Sequence, residues 1–269
     1  MIDSGAELLA ERQIARVLAP NPGPLTLEGT NSWVVDRSPA WLVDPGPANA
    51  EHLGRLHAAI DDRGGLGGVV LTHGHADHSE AAAELAARYG APLADGGGEA
   101  DVTLREGERF GPFEAVRTPG HAPDHFALVG GDACFSGDAV LGRGSVFITP
   151  YEGSLAGYLA ALQRLAARSD FTIICPGHGP TVPDGHAKLH EYVAHRLERE
   201  VALVAALDAG LRGTGELLDA AWPEVPEVLR IAAAVTLAAH LDKLEEEGRL
   251  PAGVERPDVE ALRLGSVAW

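Results

Sequence analysis

Residues 72–78 read Thr72-His73-Gly74-His75-Ala76-Asp77-His78 and place three imidazoles and one carboxylate within six positions. Neutral imidazole nitrogens and carboxylate oxygens are ligands that divalent zinc accepts. In a tight turn, His73 and His75 can converge on one ion while Asp77 and His78 face a second. The stretch therefore predicts a metal site, around which the rest of the chain is organised.

The cluster lies where a strand gives way to a helix. The segment 67–72 is short, apolar and bounded by glycine, which favours a buried strand. Residues 77–80 followed by an alanine-rich run are typical of a helix start. We therefore expect the cluster at the carboxyl edge of an α/β sheet, where ligand sites usually lie.

The composition is that of a globular chain with one sizeable core, or a main domain with a smaller appendage. Of the 269 residues, 45% are hydrophobic and 22% charged, and the mean hydropathy is -0.01. No apolar run approaches the roughly 20 residues that span a bilayer. Residues 1–7 lack the basic and apolar parts of a signal peptide. These features predict a cytoplasmic protein without a membrane partner.

The cysteine count and the charge exclude other classes. Cys134 and Cys175 each lie in an apolar strand-like run, which favours buried reduced thiols over a disulfide or a thiolate metal site. The formal net charge of -18 counts against a sequence-independent nucleic-acid binder, because phosphate contacts need clustered Lys and Arg. An RNA substrate is disfavoured by this charge but stays open.

Strands punctuated by helices predict an α/β (α+β) sandwich of two mixed sheets with helices outside. Strands are predicted at 13–19, 32–36, 40–44, 67–72, 113–117, 126–129, 133–136 and 171–175, and helices at 50–60, 81–89 and 154–167. The Gly- and charge-rich segment 96–111 predicts a loop and an edge hairpin.

From position 186 the pattern changes to long helices, predicted at 186–209, 214–221 and 226–247. This change predicts a catalytic domain over 1–185 and a small helical domain over 186–269. A short hairpin that includes Arg249 and Leu250 is an expected ending. The helical domain serves either nucleic-acid binding or packing, as a dimerisation module or a wall of the active-site cleft. We favour the second reading, since Glu245–Glu247 would repel phosphates.

Three further ligand-type residues follow predicted strands and stand beside glycine. His121 follows Thr118-Pro119-Gly120, Asp138 follows Ser136-Gly137, and His178 follows Pro176-Gly177. Glycine lets the backbone turn sharply and approach an ion. Since all three repeat one arrangement, we expect them to complete a binuclear site.

At these seven positions the chain resembles the metallo-β-lactamase superfamily, whose HxHxDH motif is followed by a distant His, Asp and His. The glycine-rich contexts and Gly29-Thr30-Asn31 look most like the lactamase-β-like hydrolases with a C-terminal winged-helix domain. The resemblance implies an αββα sandwich and two zinc ions, with iron or manganese as alternatives. It places one ion on His73, His75 and His121 and the other on Asp77, His78 and His178, with Asp138 as the bridge.

The implied chemistry is hydrolysis. Well-known lactamases of the superfamily usually have cysteine at the bridging position, so an antibiotic-cleaving role is not expected; Asp138 resembles the bridge of glyoxalase II and of RNA-processing members. We expect a metal-bound hydroxide, ligated and oriented by Asp77, to attack a small-molecule ester or thioester. The alternatives are an endoribonuclease on single-stranded RNA and a non-hydrolytic regulator or redox protein.

Several residues are predicted to support the site or to meet substrate. His125 resembles a position that orients a ligand, although a plain buried histidine is equally consistent. Asp44 fits the family's Asp-x-Gly element, and Asn31 is expected to fix a loop. Tyr151 and Arg143, in the loop 142–153, are candidates for substrate contact. The remaining histidines have no ligand pattern and are assigned to helix surfaces or packing: His52, His57, His186, His190, His195 and His240. An oligomer through the helical domain is a further expectation.

Overall fold

The computed structural model describes residues 4–151 and 153–259 and contains two β-sheets packed face to face. The first sheet consists of β1 (Ile14–Leu18), β2 (Asn31–Val35), β3 (Ala40–Val43), β4 (Leu66–Val70), β5 (Leu93–Asp95) and β6 (Val102–Thr103), in that order. The second has the order β11-β10-β9-β8-β7, where these are β7 (Arg109–Phe110), β8 (Phe113–Arg117), β9 (Phe126–Gly130), β10 (Asp132–Gly137) and β11 (Phe171–Pro176).

Both sheets are mixed, as the sequence predicted. In the first sheet, β1, β2 and β3 pair antiparallel, whereas β3 to β6 pair parallel. In the second, β10 and β11 pair parallel and the other neighbours pair antiparallel. The helices are α1 (Ser4–Glu11), α2 (Ala50–Asp61), α3 (Ala76–Ser79), α4 (Ala82–Tyr89), α5 (Ser154–Ala166), α6 (Gly185–Asp208), α7 (Thr214–Ala221) and α8 (Arg230–Glu246).

Alternation along the strands divides the core into layers. On β2, Trp33 points between the sheets, where it meets Phe135 at a ring distance of 6.2 Å, while Val34 joins the cluster beneath α2 and α4. The outer face of the second sheet packs against α5 and the first half of α6, around Tyr158 and Leu189. The layers are therefore helix, sheet, sheet, helix, and the predicted αββα sandwich is confirmed.

The helical C-terminal part has its own core, built by the second half of α6 together with α7 and α8 around Leu217, Trp222 and Leu237. Because the first half of α6 packs on the sandwich, this helix is shared between the two parts. The division at 185/186 stays a prediction, and residues 260–269 of the predicted second domain lie outside the described residues, as does Glu152 of the predicted loop.

The predicted C-terminal hairpin is wrong, and the predicted edge hairpin is formed by β7 with β8, whose residues follow 96–111. Within 96–111, β6 pairs with β5 in the first sheet and β7 pairs with β8 in the second, because each short strand completes the edge of a different sheet. After α8, the described residues up to 259 contain no strand. Arg249 N–H instead donates to Leu244 O at 2.8 Å, closing the helix, and Leu250 packs into the helical core.

Both cysteines are free and buried, as predicted. Burial raises the pKa of Cys134 to about 12 and raises that of Cys175 well above its usual value, so neither side chain offers a thiolate ligand at neutral pH. Across 4–151 and 153–259, every helix is too short or too polar to cross a bilayer.

Candidate metal centre

The seven predicted ligands come together at one edge of the sandwich. The turn after β4 carries the residues from His73 to His78, and the loops after β8, β10 and β11 carry His121, Asp138 and His178. Strand ends that meet at one edge of a sandwich bring their following loops together. His78 and His178, which are 100 residues apart in sequence, thereby lie with their Nε2 atoms 3.3 Å apart.

Three imidazoles form the first group of ligand atoms. His75 Nδ1 lies 3.0 Å from His73 Nε2 and 3.0 Å from His121 Nε2. His73 and His121 are buried and His75 is half-buried. Three nitrogen atoms at this spacing have the arrangement expected around one tetrahedral cation.

The second group combines two imidazoles with a carboxylate. His78 Nε2 lies 3.3 Å from His178 Nε2, and Asp77 Oδ2 lies 3.5 Å and 3.4 Å from these two nitrogens. Thr30 Oγ1 donates to the same Asp77 oxygen at 3.1 Å, which fixes the carboxylate. This group has a mixed nitrogen and oxygen donor set suited to a divalent metal.

Asp138 lies between the two groups. Its Oδ2 is 3.5 Å from His121 Nε2 in the first group and 3.4 Å from His178 Nε2 in the second, and its Oδ1 is 3.6 Å from His78 Nε2. Oδ1 is buried and has no hydrogen-bond partner among the described residues. A buried carboxylate oxygen without a donor is costly unless a cation neutralises it, so Asp138 fits a position between two metal ions.

Hydrogen bonds on the outer side of the rings orient four of the histidines. In each, Nδ1 faces an oxygen acceptor, which places a proton on Nδ1, and Nε2 points inward. The acceptors are Thr72 Oγ1 for His73 at 3.1 Å, Asp44 Oδ2 for His78 at 2.9 Å, Phe147 O for His121 at 3.4 Å and Gly29 O for His178 at 3.3 Å. These outer hydrogen bonds aim four Nε2 atoms at the centre of the site, which is the orientation that a metal ligand needs.

The electrostatics differ between the two groups. Burial lowers the pKa of His73 and His75, and lowers that of His121 to about 4, so this group is neutral at pH 7. Burial also acts against charge on His178, but Asp138 and Asp77 raise its pKa to about 10. The metal-free centre therefore holds its positive charge beside the two carboxylates.

Asp44 supports the centre from behind rather than facing it. Its Oδ1 accepts from Thr72 N–H at 2.7 Å, and its Oδ2 accepts from Thr72 Oγ1–H at 2.7 Å and from His78 Nδ1–H at 2.9 Å. The residue is buried and adopts φ 49°, which aspartate tolerates better than most side chains. One carboxylate thus fixes both the start of the metal-binding turn and the tautomer of His78.

His125 lies directly behind Asp138. Its Nε2 accepts from Asp138 N–H at 3.1 Å, so its proton is on Nδ1, which faces Thr118 Oγ1 at 2.7 Å. Burial lowers the pKa of His125 well below its usual value and keeps the ring neutral. The side chain therefore positions the backbone of Asp138 and has no lone pair left for a metal.

The other predicted residues contact loops. Asn31 donates to Pro176 O at 2.8 Å and to Gly179 O at 2.9 Å, on either side of His178. Tyr151 Oη accepts from Gly120 N–H at 2.6 Å, next to His121. Asn31 and Tyr151 thus hold ligand-bearing turns.

Some supporting residues have no direct signal in the sequence. Thr72 links Asp44 to the turn that carries His73, and Thr118 links His125 to the turn that carries His121. In the sequence, only their positions next to ligand motifs point to them. His52, assigned to packing, is buried with Nε2 2.9 Å from Pro45 O and 3.1 Å from Ser32 Oγ. Through Pro45 it holds the loop that carries Asp44, and its contact with Ser32 spans 20 residues of sequence and has no local pattern.

Glycine at position 177 is required by close packing in the centre. A Cβ at Gly177 would lie 2.5 Å from Asp138 Oδ1 and 2.7 Å from His78 Cε1. We expect Gly177→Ala to displace both side chains, lowering stability by about 1–3 kcal/mol and metal affinity by at least about tenfold. Thermal unfolding and metal content of the purified variant measure the two effects.

Gly54→Ala is the matched control for Gly177→Ala. Gly54 is exposed on α2, and a Cβ there would meet nothing within 4 Å. This variant should gain roughly 0.5–1 kcal/mol of stability from helix propensity and keep its metal. A Gly177→Ala protein with unchanged metal content would show that the packing around position 177 does not constrain the ligands.

A cavity of about 1040 Å³ opens from the centre toward the helical part of the chain. Its floor includes His75, Asp77, His121, Asp138 and His178. Its walls come from the loops 23–27 and 141–147, from α6, and from residues 222–236. The helical part therefore forms one wall of the cavity above the candidate metal centre.

Comparison with known proteins agrees with this geometry. The profile described as metallo-beta-lactamase superfamily matches residues 25–108 and 93–178. The profile described as beta-lactamase associated winged helix domain matches residues 214–251. The chain therefore belongs to the metallo-beta-lactamase superfamily, with the associated winged helix domain at its C-terminal side. It is a hydrolytic enzyme of this superfamily, with a His/Asp cluster able to bind metal ions.

Relatives match over most of their length. The "Beta-lactamase-like protein 2 homolog" of Caenorhabditis elegans is 30% identical over 270 residues, covering 93% of this chain and 88% of the relative. The "Atrochrysone carboxyl ACP thioesterase AacuM" of Aspergillus aculeatus is 30% identical over 263 residues, covering 88% of this chain and 82% of the relative.

Solved structures share the fold. The metallo-beta-lactamase family protein TTHA1429 from Thermus thermophilus superposes with a TM-score of 0.70 at 24% identity, covering 88% of this chain and 94% of that one. The protein TTHA1623, solved in a di-iron-bound form, superposes with a TM-score of 0.51 at 30% identity, covering 64% of this chain and 96% of that one.

Proposed function

We propose that the chain is a binuclear metal-dependent hydrolase of small-molecule thioesters or esters. The observation that carries the proposal is the inward orientation of the donor set, with Asp138 placed between two groups of ligand atoms. His73, His75 and His121 would hold one ion and Asp77, His78 and His178 the other, with Asp138 shared. Metal ions bound there would lower the pKa of water toward neutrality and polarise the carbonyl of the substrate.

The chain's own residues prepare the site for hydrolysis. Although burial raises the pKa of Asp77, hydrogen bonding from His178 and the charge of His78 lower it to about 2, so the carboxylate is ionised at neutral pH. Asp77 also lines the cavity, where its carboxylate can accept a hydrogen bond from an attacking water and orient it. Addition of water across the thioester would release a carboxylic acid and a thiol.

The shape of the cavity supports a small organic substrate. Its volume of about 1040 Å³ is close to that of pockets that take drug-sized molecules. Apolar side chains, among them Leu25, Leu27 and Phe147, line it beside the candidate ligands. A thioesterase among the relatives provides independent support for the reaction class.

Metal removal tests the proposal. We expect protein stripped with a chelator to lose at least about 1,000-fold of its activity on generic thioesters, since metal activation contributes several kcal/mol. Zinc is the proposed ion, and the di-iron-bound relative makes iron the competing one. Metal analysis of protein purified without added metal, followed by separate re-addition of zinc, iron and manganese, identifies the ion. Full activity in the metal-free protein would contradict the proposal.

Hydrolysis of single-stranded RNA is the alternative, because the same metal pair would serve a phosphodiester. The net charge of -18 opposes the binding of a long phosphate backbone. We therefore place thioesters first. Binding of single-stranded RNA at low salt that weakens steeply as salt rises would reverse this order.

A further inference from the structure

One arginine in the cavity wall is buried without a counter-charge among the described residues. Arg196 lies on α6, lines the cavity and is 2% exposed. Its Nη2 donates to Val146 O and its guanidinium lies 5.7 Å from the centroid of the Tyr158 ring. Its Nε has no hydrogen-bond partner in the described part of the chain. The Tyr158 side chain also hydrogen-bonds with Arg196. A carbonyl, an aromatic face and a neutral phenol offset only part of the cost of burying a full charge.

Other arginines of the same wall are neutralised. Arg143 pairs with Glu28 at 2.7 Å, and Arg199 pairs with Glu224. Within 4–151 and 153–259, no carboxylate forms an ion pair with Arg196. Arg196 thus differs from its neighbours both in burial and in lacking an anion within these ranges.

The surrounding histidines do not change this balance. Burial, followed by the charge of Arg196, lowers the pKa of His195 to about 4 and that of His240 to about 3. Both rings are therefore neutral at pH 7, and neither ring nitrogen of His240 has a hydrogen-bond partner among the residues described. At pH 7 these two rings therefore neither add to the positive charge of Arg196 nor neutralise it.

Arg196 is connected to the candidate metal centre through two residues of backbone. It donates to Val146 O, and the next residue, Phe147, has its carbonyl oxygen 3.4 Å from His121 Nδ1 and its ring 4.7 Å from the His121 ring. Arg196 and His121 therefore border the same cavity from the two sides of this loop. A ligand with its reacting group at the centre can present a second group to Arg196.

We propose that Arg196 binds a carboxylate on the acyl part of the substrate, so that the preferred substrates are acyl thioesters with a second, anionic end. This inference rests on the proposed thioester hydrolysis. A guanidinium fork matches a carboxylate geometrically, and a charge-assisted bond in a buried site is stronger than one at the surface. The apolar wall formed by Leu25, Phe147, Leu229 and Ile231 would contact the carbon chain between the two ends.

Matched thioesters of N-acetylcysteamine test the inference. One series carries adipic and suberic acids with a free terminal carboxylate, and the other carries the corresponding monoamides, which have the same size and no charge. We expect wild-type protein to favour the carboxylates by about tenfold or more in kcat/KM, mainly through KM. Arg196→Met should remove this preference, and Arg196→Lys should keep part of it.

Arg199→Met is the matched control, because Arg199 lines the same cavity but already has Glu224 as its partner. Its ratio of kcat/KM between carboxylate and amide should stay at the wild-type value, whatever happens to the absolute rates. If Arg196 had only a structural role, Arg196→Met would lower kcat/KM equally for the carboxylates and the amides and leave their ratio unchanged. That result would overturn the inference.

The wild-type measurement separates the two proposals. If wild-type protein hydrolyses the amides and shows no preference for the carboxylates, thioester hydrolysis stands and the assignment of Arg196 is overturned. If metal-loaded wild-type protein hydrolyses neither series, the proposed function fails and the inference fails with it. If Arg196→Met folds poorly, Arg196→Lys takes its place: a ratio below the wild-type value supports the inference, and a wild-type ratio overturns it.

Discussion

Asp138→Asn is expected to lower the turnover of thioesters by at least about 1,000-fold, which corresponds to several kcal/mol of lost metal activation. Asparagine keeps the shape of the side chain but carries no charge and one fewer oxygen. Asp138 faces nitrogen atoms of both ligand groups, so its replacement should weaken both metal positions together. Activity and metal content per chain, measured on the same sample, check this expectation.

The control for Asp138→Asn comes from the other end of the same strand. Asp132 begins β10, is half exposed, and pairs with Arg12 at 2.6 Å. Asp132→Asn should cost at most about 1 kcal/mol of stability and leave metal content unchanged, because exposed ion pairs contribute little. If Asp138→Asn keeps the turnover and the metal content of the wild-type protein, Asp138 is not the bridging ligand.

Asp44→Ala is expected to lower the free energy of unfolding of the metal-free protein by about 3 kcal/mol or more. The substitution leaves Thr72 N–H, Thr72 Oγ1–H and His78 Nδ1–H buried without their acceptor. Denaturant unfolding of chelator-treated protein measures this loss. Asp62→Ala is the control, since Asp62 is exposed and its ion pair with Arg37 should contribute less than about 1 kcal/mol.

Asp44→Asn separates orientation from stability. An asparagine can still accept from Thr72 N–H, but its amide group would face the hydrogens of Thr72 Oγ1 and His78 Nδ1. His78 would then favour the other tautomer, with a proton on the nitrogen that faces Asp77 and Asp138. We expect metal affinity to fall by about 10- to 100-fold while most of the stability is kept. Unchanged affinity would show that Asp44 does not set the tautomer of His78.

The sequence predicted some parts of the fold better than others. The pattern of the strands and helices predicted the sandwich because local hydrophobic alternation is set by which faces are buried. The two short strands of 96–111 escaped this reasoning. A strand of two residues is too short to show a hydrophobic alternation, and only the packed sheets determine that β6 extends one sheet and β7 the other.

The candidate ligands could be predicted from sequence because four are clustered within 73–78 and the other three share one local arrangement, a ligand-type residue after a strand and beside glycine. The residues that orient them could not, since each contact joins distant segments. Asp44 reaches His78 across 34 positions, and Asn31 reaches Pro176, in the turn of His178, across 145. Such hydrogen bonds have no signature in either segment alone.

By itself, the sequence determined the fold class and predicted a set of candidate metal ligands, because both depend on local spacing and side-chain type. The tertiary structure decided the direction of each imidazole lone pair, the position of Asp138 between the two groups, and the burial of Arg196 in the wall of the cavity. These properties depend on the dielectric surroundings and on distances between segments, which exist only after the chain has folded.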